Sequence, residues 1–239
     1  MLHLSEAGQE RENLAVDRLL MLPPFVHDRW YRSLGLDPQM HWALVRPRLL
    51  GLLPNDKETE IDIVFGSTDP NGAITIDHLV AVEAKCWKKE ASDLEQFGQD
   101  LKRPKSNLWK QVQRNLHIGF NRVAGVDILS TSPSSDYMSS LDSASQAGTA
   151  DLNRLRWLAS EGRRGLEAGY SVFGFGAVEW KDESDSGSLL NFVCEDAPLH
   201  GRDANDAIGK ALSPMLSTCP VDYQPPYHFV LSPTGWTRL

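Results

Sequence analysis

The 239-residue chain predicts an α/β (α+β) protein, and three patterns carry that expectation. Two neighbouring runs, Glu60-Ile61-Asp62-Ile63-Val64-Phe65 and Leu79-Val80-Ala81-Val82-Glu83-Ala84-Lys85, are rich in Val, Ile and Leu and bounded by turn-forming or charged residues, as strands are. Residues 5–22 place apolar side chains at helical spacing ahead of them, and Asn107–Phe120 reads as a second helix behind them. The alternation of helix, strands, helix and a further short strand is what periodicity alone resolves: α/β or α+β, with the sheet order still open.

Residues 5–22 open with Ser5 as N-cap and Glu6 as early negative charge, carry Leu14, Val16, Leu19 and Leu20 on an apolar side, and stop at Pro23-Pro24. Residues 25–40, with Trp30 and Tyr31, read as an aromatic loop or short helix. Trp42–Leu50 reads as a first strand interrupted by Pro47, which predicts a sheet edge. The two motif strands follow, joined through Asp69-Pro70-Asn71-Gly72, a turn signal that makes them an antiparallel hairpin. From about Asp93 the chain turns helical, Pro104 breaks that segment, Asn107–Phe120 resumes it, and Val126–Ser130 is a short strand. Residues 130–150 are Ser-rich and predict a mobile loop. A helix over 151–168, a strand over Ser171–Trp180 with Leu189–Cys194 as its hairpin partner, and a short strand over Tyr227–Leu231 complete the chain.

Side chains alternate between the faces of a strand, so Glu83 and Lys85 share one face while Val82, Ala84 and Cys86 point the other way. An antiparallel hairpin then brings Asp62, Glu83 and Lys85 together at one end. Two carboxylates with an ammonium beside them suit Mg²⁺ (or Mn²⁺) and a phosphate ester. Residues 79–82 are apolar on both faces, which implies a buried central strand. Charges at the end of such a strand cost several kcal/mol unless they are paired or bind a metal. The alternative is a salt-bridged pair closing a core strand.

These residues resemble the PD-(D/E)xK nuclease superfamily, the restriction-endonuclease-like fold. Asp62 matches the lone aspartate and Glu83-Ala84-Lys85 the (D/E)xK element; no proline precedes Asp62, where the pattern is Glu-Ile-Asp-Ile. The resemblance spans roughly residues 5–130. It implies a central mixed β-sheet flanked by helices, with C-terminal strand and hairpin additions, in one nuclease domain over 1–239. The core covers about 5–180 and a C-terminal extension covers 181–239. It also implies a metal held by Asp62, Glu83, the Ala84 carbonyl and a glutamate from the N-terminal helix. Glu6, Glu10 and Glu12 compete for that place. Glu12 is the choice, because it lies on the side of Val16 and Leu19. Lys85 would orient water or stabilise developing charge. Glu60 would support the site from behind, as would Gln111, since many relatives place a glutamine on the following helix.

The net charge of −8 runs against DNA binding, but its distribution does not. No Asp or Glu occurs from Leu101 to Val126, where Lys102, Arg103, Lys105, Lys110 and Arg114 lie, and Lys88 and Lys89 come just upstream. Such a stripe beside a metal site fits backbone tracking; an ordinary solvated helix face is the competing reading. Three cysteines lack zinc spacing and read as reduced thiols of a cytoplasmic protein. No run is long enough for a membrane span, and the N-terminus lacks signal-peptide features. There is no phosphate-binding Gly-x₄-Gly-Lys-Ser/Thr loop, no Gly-x-Ser-x-Gly elbow and no paired-histidine zinc spacing.

The expected function is a Mg²⁺-dependent endonuclease hydrolysing DNA phosphodiester bonds. It reads as a stand-alone effector in anti-phage defence or restriction, with mobile-element and repair settings also open. The chain is expected to work as a homo-oligomer, since one metal site per chain serves one strand of a duplex. A catalytically silent scaffold subunit and an RNA nuclease are the rival readings.

Overall fold

The computed structural model describes residues 6–22, 24–36, 42–52, 58–71, 73–89, 107–131, 166–176, 188–201, 205–217, 227–232 and 235–238. The helix expected over 93–104, most of the one expected over 151–168 and most of the Ser-rich segment lie outside the described residues; 166–168, which are described, are not helical. The chain forms a mixed α/β structure around an eight-stranded sheet flanked by helices.

Helix α1 (Glu6–Leu20) leads into α2 (Pro24–Ser33). Pro24 sits at the first helical position, where its missing N–H is no loss. Residues 25–33, read from sequence as loop or short helix, are thus helical. The helix ends where Gly35 takes φ 67°, with Gly35 N–H donating to the Arg32 carbonyl (2.9 Å) and Leu36 N–H to that of Tyr31 (2.9 Å). That pair of bonds requires a left-handed residue, which glycine adopts without strain. Buried His27 ties the two helices together through Nε2 and the Leu19 carbonyl, 2.9 Å apart.

Strand β1 (Trp42–Val45) is interior, paired with β4 (Ile63–Gly66) on one side and β9 (Tyr227–Ser232) on the other. The edge expected from Pro47 is therefore corrected. The strand ends at Val45, Arg46 takes φ 57°, and Pro47 falls in the break, where it interrupts no ladder. Beyond it, β2 (Arg48–Leu49) and β3 (Thr59–Glu60) make a small separate ribbon. Strand β4 pairs antiparallel with β5 (Val80–Lys89), as the hairpin predicts. Asp69 organises the connection by accepting the Asn71 and Ala73 amides (2.9 and 2.8 Å) on its carboxylate.

Helix α3 (Asn107–Ile118) then crosses over to β6 (Arg122–Thr131), which runs parallel to β5. Strand β7 (Gly169–Gly176) is parallel to β6, and β8 (Ser188–Glu195) returns antiparallel. Helix α4 (Asp206–Ser217) follows, and β10 (Gly235–Arg238) pairs with β9. The sheet order is β10-β9-β1-β4-β5-β6-β7-β8.

Two cores separate across the sheet. Ala15, Val16, Leu19 and Leu20 of α1 and Val26, Trp30 and Leu34 of the α2 segment pack with Val82, Ala84 and Phe173. Trp30 meets Phe65 and Phe173 edge-on at 5.7 and 5.3 Å, joining β4 to β7. On the other face Leu108 and Val112 of α3 and Ile208 and Leu212 of α4 cover Ala81, Val123 and Val172.

Candidate active site

The β4–β5 ladder closes at Ile63 opposite Val82, so Asp62 stands just past its end. There the Asp62 Oδ2 accepts the Ala84 amide at 2.7 Å, a bond the next strand residue would otherwise supply. The Arg46 amide donates to the Asp62 carbonyl (2.9 Å) and fixes the backbone behind it. Alternation along β5 sends Val82 and Ala84 to the α1 face and turns Glu83 toward α3.

Glu83 has no exposed surface. Its Oε1 accepts two donors from α3, Asn115 Nδ2 at 2.7 Å and Arg114 Nη2 at 3.3 Å. The same Arg114 nitrogen donates to the Glu60 carbonyl at 2.9 Å. Glu83 Oε2 is buried without a hydrogen-bond partner. The Asp62 carboxylate stands near the Glu83 carboxyl, and a proton on either would relieve their repulsion. Burial, and then the Asp62 charge, push the Glu83 carboxyl well above the usual carboxylate range, against the Asn115 bond and the Arg114 charge.

This donor set fits a hard divalent cation. Each carboxylate has one oxygen held by a protein donor, and the buried, unpartnered Glu83 oxygen belongs to a pair that repel when both are ionised. Among the described residues no group of three or more His, Cys, Asp or Glu side chains converges.

Lys85 is half-buried on the Glu83 face, two residues along β5. The Ala84 side chain packs into the α1-side core, leaving only its backbone for the site. The Glu60 carboxylate is taken by Arg46 (3.3 Å) and Arg48 (2.9 Å); its carbonyl, not its side chain, reaches Arg114. Gln111 stands one turn before Asn115 with its Oε1 buried and unpartnered. Glu12 is within α1, but its side chain lies outside the described residues. The buried part of α1 packs on the sheet face opposite Glu83. Of the basic stripe, Lys110 is exposed and Arg114 turns inward to Glu83. Lys102, Arg103 and Lys105 lie outside the described residues, as do the side chains of Lys88 and Lys89.

Asn115 was not anticipated, although its position was readable. It continues the Leu108, Val112, Ile118 stripe of α3, so a polar residue there faces the sheet and needs a buried partner. Compared with protein-family models, with curated proteins and with solved structures, the chain matches none.

Proposed function

We propose that this chain is a Mg²⁺-dependent nuclease that hydrolyses DNA phosphodiester bonds, a stand-alone endonuclease effector of anti-phage defence or restriction acting in the cytoplasm. The observation that carries the reading is the Asp62–Glu83 carboxyl pair where the β4–β5 ladder ends, part-way along β5, with Lys85 on the Glu83 face. The element order supports it. A helix, three strands in antiparallel pairing, a crossover helix and a parallel fourth strand (α1, β1, β4, β5, α3, β6) agree with the order expected of the restriction-endonuclease-like fold that the motif residues resemble.

In this reading Asp62 and Glu83 hold the cation, with the Ala84 carbonyl beside them. Mg²⁺ bound there supplies Lewis acidity to a phosphate oxygen and lowers the pKa of water. Asn115 keeps Glu83 in one rotamer. Arg114 lends positive charge at the carboxylate and stabilises its ionised form. Lys85 places an ammonium where the transition state gathers negative charge. No helix among the described residues is long and apolar enough to cross a membrane.

The test is incubation with supercoiled plasmid, linear duplex, single-stranded DNA and RNA, in Mg²⁺ or in excess chelator. Nicking or linearisation of plasmid in Mg²⁺, lost in chelator and reduced at least about a hundredfold by Asp62→Asn, Glu83→Gln or Lys85→Met, is expected. Cleavage of RNA alone moves the substrate class. Absence of metal-dependent cleavage of any polymer by the folded wild-type protein would falsify the enzyme reading.

A further inference from the structure

Asp127 is the other carboxylate, besides Glu83, with no exposed surface among the described residues. Strands β5 and β6 run parallel in a register that sets Glu83 beside Gly125 and Lys85 beside Asp127. Registered residues on neighbouring parallel strands point to the same face, about 4.8 Å apart from strand to strand. Asp127 therefore stands alongside Lys85 on the face that carries Glu83.

The next strand fixes it there. Tyr170 is registered with Gly125 and donates its hydroxyl to Asp127 Oδ2. Tyr170 is itself buried, its ring 5.2 Å from that of Trp109 on α3. Burial, followed by the Asp127 charge, raises the Tyr170 phenol well above its usual value, so it remains a neutral donor. A neutral donor relieves part of the desolvation of a buried carboxylate and none of its charge. Among the described cations, Arg114 is engaged with Glu83 and the Glu60 carbonyl, whereas Lys85 is the one the register sets beside Asp127.

We propose that Asp127 is a positioning residue for Lys85: fixed by the Tyr170 hydroxyl, its carboxylate holds the Lys85 ammonium beside the Asp62–Glu83 pair. The proposal rests on Lys85 serving the nuclease reaction, and it extends the site one strand beyond the motif. A lysine side chain has several rotatable bonds and needs a fixed counter-charge to present its ammonium in one place. A carboxylate on the adjacent strand, itself immobilised by a tyrosine, supplies one.

The experiment is a double-mutant cycle on the full chain with Asp127→Asn, Lys85→Met and both together, and Asp127→Glu as the conservative variant. With supercoiled plasmid and Mg²⁺, Asp127→Asn is expected to lower kcat about tenfold or more, with KM and the Mg²⁺ half-saturation point held within about twofold. Added to Lys85→Met it should lower kcat no further, and Asp127→Glu should recover part of the loss. Wild-type kcat in Asp127→Asn, or losses that simply multiply, would overturn the proposal. Urea midpoints of the wild type, the two single variants and the double variant decide the pairing without any cleavage: Asp127→Asn should lower the midpoint in the wild-type background and not beside Lys85→Met. This arm stands even if the wild type cuts nothing, and additive midpoints then overturn the pair while coupled ones support it. Should Asp127→Asn not fold, Lys85→Met is expected to lower the midpoint and Lys85→Arg to retain it; equal midpoints for Lys85→Met and wild type overturn the pairing.

Discussion

A glutamate with no exposed surface, facing an aspartate and held by an amide and a guanidinium, ties folding to pH in a defined direction. The Glu83 pKa is raised in the folded state, first by burial and then by Asp62, above the value near 4.3 of an unfolded glutamate. The folded state thus keeps its proton where the unfolded chain has lost one. The contribution of Glu83 to stability is full below about pH 4 and declines as pH climbs through its folded value. Glu83→Gln keeps an acceptor for Asn115 and removes the buried charge. Without divalent ions its melting temperature should exceed that of the wild type by a margin that widens from pH 4 to pH 8. Differential scanning fluorimetry across that range checks this, and a margin that stays flat refutes it. His27 changes the wild type and the variant alike, since burial lowers its pKa and its contribution fades as pH falls. Added Mg²⁺ should erase the widening margin, because it binds the ionised carboxylates that the variant lacks.

At the scale of elements, the site depends on how closely α3 approaches the sheet. Gly125 permits that approach: a Cβ there would meet the Trp109 ring at 3.2 Å and Leu108 at 3.3 Å. Gly125→Val should push α3 off β6, destabilise the protein by about 1–3 kcal/mol, and draw Asn115 away from Glu83. Urea titration should show the loss, and cleavage should fall further than in a control of equal stability cost on the α1 face, such as Val26→Ala. Equal activity losses in the two would separate helix approach from function. This dependence explains what the sequence disclosed. The β4–β5 hairpin was legible because Asp69-Pro70-Asn71-Gly72 marks a turn and both flanking runs are β-branched. Helix α4 was missed because Gly209 and Pro214 argue locally against a helix, whereas burial of Ile208 and Leu212 favours one. The Asp62–Glu83 approach followed from alternation and a hairpin. The Asn115 and Arg114 grip did not, because it joins residues 32 and 31 positions away from Glu83 through tertiary packing.

The whole molecule carries a charge of −8 and is proposed to bind a polyanion. The exposed Lys110 and the basic residues Lys102, Arg103 and Lys105 are expected to track the backbone, while Arg114 serves Glu83. Neutralising the first four should weaken DNA binding alike for all sequences and flatten its salt dependence by about one logarithmic unit per lost contact. Arg114→Gln should instead impair cleavage with a nearly unchanged salt slope. Fluorescence anisotropy at several salt concentrations distinguishes the two, and an identical slope in all variants would mark the stripe as plain surface. A closed dimer is expected to join two such stripes, and light scattering with and without duplex reads the mass; a monomer making double-strand breaks in single hits excludes it. The backbone carbonyl of Asn115 accepts the amides of Gly119 and Phe120 (3.3 and 3.2 Å), while its side chain grips Glu83. One residue therefore ends the helix and holds Glu83. Loading the site with a cation should slow deuterium uptake at those two amides, giving the protein an isotopic gauge of occupancy that requires no substrate.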